Sequence, residues 1–347
     1  MLTPDHTIDM TYAPTIGRIV HAQTAPGRIV SISRPASDLI AGDIHGISLT
    51  GKQVLDLDPY FGPVVQDQPI LAIDRVRYRG EPVAVLAARE GNVDSSAISL
   101  ETAPVSPIST GAKRGDPPLV HVIDLLGHGS RASEVGLAAA RTNLLASIEL
   151  PGSASPASGS QQRSIHIAKP LVAPDGLVYA SAQWNDDVVT VWSHCVDPIE
   201  VQRELSGITG VSEAIIRVLP PHFLGNDSGE PVAVAGAIGV EAIAVAIARK
   251  GQRPIDIHAK RSDFGWTGPR ATIEWDEQGN AMLAVDAGAV AGYLPVWLDD
   301  FGRIVAERTS SGAKVTVDLI YSEQPPIAAS KSDWIAALTE ALESSEQ

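Results

Sequence analysis

Gln66 to Arg89 reads QDQPILAIDRVRYRGEPVAVLAAR, and the rest of the chain is read outward from it. Two short apolar runs flank a basic turn. Ile70, Leu71 and Ile73 form the first, Arg75, Arg77 and Arg79 interrupt it, and Pro82 to Ala88 forms the second. Val83-Ala84-Val85-Leu86 has the length and composition of a buried strand. Gly80 falls where the chain must turn, a place for a residue with no Cβ to oppose positive φ. Physically, the stretch implies two strands and a loop.

At 347 residues the chain has room for two or three modest domains with a real core. A net charge of −15 argues against a nucleic-acid partner, which needs a basic face. The one cysteine, Cys195, excludes an internal disulfide, and with it a self-contained iron–sulfur cluster or thiolate zinc site. The first residues, MLTPDHTIDM, have neither the basic nor the apolar region of a signal peptide, so the expected location is cytoplasmic. Pro231 to Ala248 is the one long apolar run. Its Ala-rich composition and Glu241 predict a buried helix rather than a membrane span.

Residues 9–33, DMTYAPTIGRIVHAQTAPGRIVSIS, predict two β-rich runs about the turn residues Ala25-Pro26-Gly27, with His21 a strand histidine. Asp94 to Ala97 is a short helix start and Ile98 to Thr102 a strand. His121 and His128, with Asp124 between them, invite a metal reading, but Gly127 and Gly129 make the segment a loop and no further ligand is evident. Residues 151–164, PGSASPASGSQQRS, have linker composition. Beyond them Val188 to Trp192 alternates as a strand, and Asp197 caps a helix with Pro198 in its first turn and Glu200 three residues on. Ile199, Val201, Leu205 and Ile208 are its expected apolar side. Ile215 to Leu219 is the next strand, a helix ends near Lys250, and Ile255 to Ala259 is a third strand, an α/β layer. Asp333 is the expected N-cap of a closing helix, Trp334 to Leu342, with Trp334, Leu338 and Leu342 on one face.

The opening stretch also resembles the a/b hammerhead signature of the molybdenum hydroxylases, the xanthine dehydrogenase, aldehyde oxidase and carbon monoxide dehydrogenase family. The matching residues are Asp67, Gln68, Pro69, Leu71, Asp74, Val76, Arg77, Tyr78, Gly80, Glu81, Pro82, Val83 and Ala84. Met10, Tyr12, Ala13 and Arg28 to Ile32 are similar to the opening of that family's large subunit. Trp192 to Pro198, Arg217 to Pro221, Gly251 to Phe264 and Asp286 to Ala291 resemble later motifs of it. Residues 302–347 look like its last segment, which implies a large internal deletion. The resemblance implies a mixed α/β, α+β chain. Residues 1–150 would be a hammerhead-like domain, 151–164 a linker, 165–301 a shortened molybdopterin-binding-like domain, and 302–347 a strand-loop-helix remnant.

In the family, three protein elements surround the molybdopterin: the glutamine of a TQNP turn, a Gly-rich loop and a glutamate base near the C-terminus. The corresponding positions here are Val196, the loop Leu224-Gly225-Asn226-Asp227-Ser228, and Lys331. Valine cannot hydrogen-bond a cofactor, Asp227 brings negative charge towards an anionic group, and lysine is a poor substitute for a carboxylate base. Glu323 is the nearby carboxylate, on the other side of Pro325-Pro326. Asp186-Asp187 and Asp299-Asp300 read as turn acids. No GxSxG elbow or P-loop is present, and Gly236 and Gly239 make no dinucleotide fingerprint.

The expectation is therefore a non-catalytic structural or assembly subunit that pairs with a catalytic large subunit of the same family. No cofactor or metal is expected on this chain, with molybdopterin, FAD and iron–sulfur clusters on partner subunits. Two alternatives stand beside it. One is an oxidoreductase subunit contributing to a composite molybdopterin site that hydroxylates an aldehyde or N-heterocycle. The other is a free-standing small-molecule binding protein. No nucleic acid and no membrane are expected as partners.

Overall fold

A computed structural model describes residues 15–24, 26–33, 47–51, 57–58, 60–62, 64–88, 98–104, 143–152, 163–170, 177–185, 188–193, 195, 197–220, 239–309 and 314–344. The N-terminal strands are β1 (Thr15–His21), β2 (Gly27–Ser33), β3 (Ile47–Thr50), β4 (Tyr60–Phe61), β5 (Gln68–Pro69), β6 (Arg75–Val76), β7 (Pro82–Ala88) and β8 (Ser99–Pro104). After β9 (Leu144–Leu150), β10 (Arg163–Ala168), β11 (Leu177–Asn185) and β12 (Val188–Ser193) comes helix α1 (Pro198–Thr209). Then follow β13 (Ile216–Leu219), α2 (Gly239–Gly251), β14 (Ile255–Lys260), β15 (Arg270–Trp275), β16 (Ala281–Gly288), α3 (Leu294–Arg308), β17 (Val315–Tyr321) and α4 (Lys331–Ser344).

Two large sheets organise this mixed α+β fold. The seven-stranded sheet has the order β13-β12-β11-β14-β1-β7-β3, and the five-stranded sheet β10-β15-β16-β17-β9. Each draws strands from both sides of residues 151–164. In the first, β1 pairs parallel with β14, Thr15 opposite Ile255. In the second, β9 pairs antiparallel with β17. The stretch of linker composition thus joins segments in sequence that are hydrogen-bonded into common sheets.

Helices α1 and α2 cover one face of the larger sheet. Gly239 to Ala248 is buried all round, as a helix apolar on every side must be. Its Ile243, Val245 and Ile247 pack with Val191, Ile255 and Ile257 of the sheet. Burying each such side chain contributes about 1.5–3 kcal/mol. Among the described residues no helix is long and apolar enough to cross a membrane. Helices α3 and α4 close the second core, where Phe301 stacks on Trp334 at 5.3 Å over Leu298, Val317 and Leu338.

Local details depart from the sequence expectations in four places. Ile70, Leu71 and Ala72 are buried but form no strand, because the Asp67–Arg77 segment wraps inward, and only Ala72 N–H reaches Pro82 O at 2.8 Å. Ile199 is 64% exposed, since the apolar stripe of α1 runs through Val201, Leu205 and Ile208 alone. Ile215 closes a 3₁₀ turn, and the strand begins at Ile216. Finally, α4 starts earlier than expected and its cap is Ser330. Ser330 Oγ accepts from Asp333 N–H at 3.2 Å while the Asp333 carboxylate accepts from Ser330 N–H at 2.8 Å. This reciprocal pair makes Asp333 the third helical residue of a capping box, not the cap.

Gly80 takes φ 96° and Gly265 φ 64°. The two turns meet backbone to backbone, since a Cβ on Gly80 would lie 2.5 Å from the carbonyl carbon of Phe264. One on Gly265 would lie 2.5 Å from Arg79 O. The glycine at the basic turn therefore serves close approach as well as positive φ.

Candidate functional site

The charges of the 66–89 stretch form a buried hub. Arg77 Nε donates to Glu81 Oε1 at 2.7 Å, and Arg77 N–H donates to Glu81 Oε2 at 2.6 Å. Arg77 Nη1 also donates to Asp67 O at 2.7 Å and to Ala289 O at 3.1 Å. Asp67 Oδ2 accepts from Ala291 N–H at 2.7 Å and from Tyr321 Oη–H at 2.5 Å. Burial is the main force lifting the Asp67 carboxyl to about 6, opposed by these donors and by Arg77. The hub ties residues more than two hundred positions apart in sequence. One ion pair, Arg77–Glu81, and the hydrogen bonds of Asp67 and Arg77 to backbone and Tyr321 make the hub a scaffold, with Asp67 Oδ1 and Arg77 Nη2 left without hydrogen-bond partners.

His21 is a second scaffold contact. Its Nδ1 hydrogen-bonds Gly80 O at 2.8 Å, its ring meets Phe264 edge-on at 4.5 Å, and burial lowers its pKa. The strand-histidine reading holds.

Val196 and Leu224 to Ser228 lie outside the described residues, as do His121, Asp124, His128 and Asp186-Asp187. The flanking residues Ser193, Cys195 and Asp197 are described. Ser193, last in β12, donates to Glu241 of α2, and Asp197 caps α1 by accepting from Ile199 N–H at 3.0 Å and Glu200 N–H at 3.2 Å. Glu204, one turn further, has an enclosed Oε2 with no hydrogen-bond partner. Desolvation, then Glu200 and Glu241, push its carboxyl well above the usual range. Burial likewise raises Glu241 and lifts the half-buried Cys195 thiol to about 11, leaving it unreactive at neutral pH. Tyr293, at the start of α3, feels Glu200, Glu204 and Asp197, and its hydroxyl pKa rises from burial first and these charges second. The cation among these groups, Arg203, is committed to Glu200 and exposed.

Asp197, Glu200, Glu204 and Glu241 form an acidic grouping about the start of α1 and its contact with α2 and Tyr293, in which burial disfavours the charged forms of Glu204 and Glu241. Sequence reading passed over Glu204 and the Ser193–Glu241 pair. Glu204 carries a faint signal, as the i+4 partner of Glu200 on a helix whose apolar stripe it adjoins.

Lys331, at the position matched to the base, is the first residue of α4. Its Nζ lies 2.5 Å from Asp300 Oδ2, with both side chains about two-fifths exposed. Asp299 pairs with Arg303 at 2.7 Å. The 299–300 pair thus sits on α3 rather than in a turn, because Pro295 starts a helix that carries through Gly302. Glu323 is held by Arg75 at 2.6 Å and its side chain is 9% exposed, so it offers no free carboxylate. Among the described residues no group of three or more His, Cys, Asp or Glu is arranged to hold a metal ion.

Comparison with known proteins is consistent with this fold. The chain is 24% identical over 304 residues to a probable xanthine dehydrogenase subunit of Bacillus subtilis (strain 168), covering 82% of this chain and 38% of that protein. Its fold matches the aldehyde oxidoreductase of Desulfovibrio gigas with a TM-score of 0.68 at 13% identity, over 92% of this chain and 36% of that one. It matches the CO dehydrogenase of Oligotropha carboxidovorans with a TM-score of 0.69 at 17% identity, over 96% of this chain and 44% of that one. No family model matches the sequence. The chain spans roughly two fifths of the length of these relatives.

Proposed function

We propose that this chain, a molybdenum hydroxylase family member by fold and sequence, is a non-catalytic structural or assembly subunit that pairs with a catalytic large subunit. The observation that carries the reading is the site itself. Where the family resemblance calls for a carboxylate base, Lys331 is fixed in an exposed ion pair with Asp300. A lysine side chain engaged as donor to a carboxylate does not offer the acceptor oxygen that a carboxylate base provides. In this reading molybdopterin, FAD and iron–sulfur clusters belong to partner subunits.

One observation favours a second reading, an oxidoreductase subunit sharing a composite site. More than half of each relative has no counterpart in this chain, so a second polypeptide has room to complete a cleft. Affinity purification of the tagged chain from its native host, with its partners retained, separates the two. The structural reading expects a co-purifying large molybdoprotein that carries all the molybdenum. One molybdenum per copy of this chain, surviving removal of that partner, overturns it in favour of the composite site.

A further inference from the structure

We propose that Asp67 is a proton-operated clamp on the turn between β16 and α3, holding that turn when charged and loosening it when protonated. The turn is Ala289-Val290-Ala291, bracketed by Gly288 at φ 67° and Gly292 at φ 56°. Both glycines take the left-handed conformation that a residue without Cβ adopts at low cost.

Its two ends are fastened differently. At the Ala289 end, Ala289 N–H donates to Gln324 O at 3.0 Å, Ser322 N–H donates to Gly288 O at 3.0 Å, and Ala289 O accepts from Arg77. None of these bonds involves a carboxyl that burial has lifted. At the Ala291 end the amide is held by the Asp67 carboxylate, and Ala291 O in turn accepts from Leu294 N–H at 3.1 Å to begin α3. The first turn of α3 therefore hangs on a buried carboxylate.

The charged and titratable groups around Asp67 come from three elements. Arg77, Tyr78 and Glu81 belong to its own stretch, Tyr321 to β17 and Glu204 to α1. Asp67 is fully buried, Tyr321 Oη–H and Ala291 N–H both address Oδ2, and Oδ1 has no partner. A proton consequently goes to Oδ1, converts two charge-assisted bonds at Oδ2 into ordinary ones and removes the attraction of Arg77. Burial lifts the Asp67 carboxyl to about 6 and favours its protonation, whereas the Ala291 N–H opposes it, so mild acidification releases that amide while Asp67 itself stays buried. Loosening begins at Ala291 and reaches Tyr293, the residue that faces Asp197, Glu200 and Glu204 across the acidic region.

The test uses the whole chain, labelled with aspartate carboxyl carbon-13 and alanine nitrogen-15, from pH 4.5 to 8. The Asp67 carboxyl is expected to titrate near pH 6. Protection of the Ala291 amide, corrected for intrinsic exchange, is expected to fall about tenfold across the same interval. Sheet amides such as Ala146 and Ala284 are expected to keep theirs. Tyr321→Phe removes a donor that lowers the carboxyl pKa, so both midpoints should move upward together. Asp67→Asn, if it folds, should abolish the pH dependence, and the tyrosine variant carries the test if it does not. An Asp67 midpoint near 4, or Ala291 protection that is flat from pH 5 to 8, overturns the proposal.

Discussion

At the scale of residues, buried charge is where this chain is most exposed to mutation. Arg77 and Glu81 have side chains 6% and 2% exposed, and their pairing offsets a large desolvation cost only while both are present. Glu81→Gln leaves Arg77 charged and enclosed, and is expected to cost about 3 kcal/mol or more in urea unfolding. Adding Arg77→Met to it should cost less than the sum of the two single changes. A double-mutant cycle with no coupling would show that the two side chains do not act as a unit. Glu204 works in the opposite sense. Its folded pKa lies above its unfolded value, so the native state binds the extra proton and stability falls as pH rises from about 4 through the folded pKa. Glu204→Gln removes that penalty. Its urea midpoint should exceed wild type at pH 8 and converge on it near pH 4; a constant difference across that range would rule the carboxyl out as the cause.

At the scale of elements, the sequence was legible where periodicity and caps act locally. Asp197-Pro198 and the spacing of Val201, Leu205 and Ile208 place α1 correctly, alternation locates β12, and the run Ile255 to Ala259 marks β14. Ile199 misled because its apolar character is read before its angle on the helix, which points to solvent. The start of α4 was misread because Ser330 and Asp333 are both good caps and only the fold shows which turn comes first. The Asp67–Tyr321 contact could not be read at all, since nothing local links residues 254 apart. The acidic grouping of Glu204 with Glu241 failed for the same reason, lying on two helices. Two element-scale tests follow from the corrected geometry. Ser330→Ala should lower stability by about 1 kcal/mol through loss of the cap, whereas equal effects of Ser330→Ala and Ser332→Ala would favour no specific capping box. Gly80→Ala combines a positive φ with a backbone approach of 2.5 Å and should cost about 1–3 kcal/mol, measured by thermal unfolding. A neutral result would mean that the Gly80 and Gly265 turns are not in close contact.

At the scale of the molecule, the two sheets decide whether the chain can be divided. The composition of 151–164 suggests separable halves, but β1, β7 and β3 lie in one sheet with β11 to β14, and β9 completes the sheet of β15 to β17. Pairing of β1 with β14 places Ile19 in the same core as Ile257 and Val191, and β9 contributes Leu145 and Ala146 to the core of Phe301 and Trp334. Neither half owns a complete core, so neither is expected to fold alone. A specific protease site placed within 151–164 tests this directly. After cleavage under native conditions the two fragments should co-elute as one particle and separate only in denaturant. They should be insoluble when expressed apart, since each would expose a sheet edge and an apolar face. Separation of folded fragments without denaturant would mean that the sheets are not continuous across the cleavage point. Co-elution would instead make the whole chain the unit that meets a partner, because a face built from both halves exists only while they remain joined.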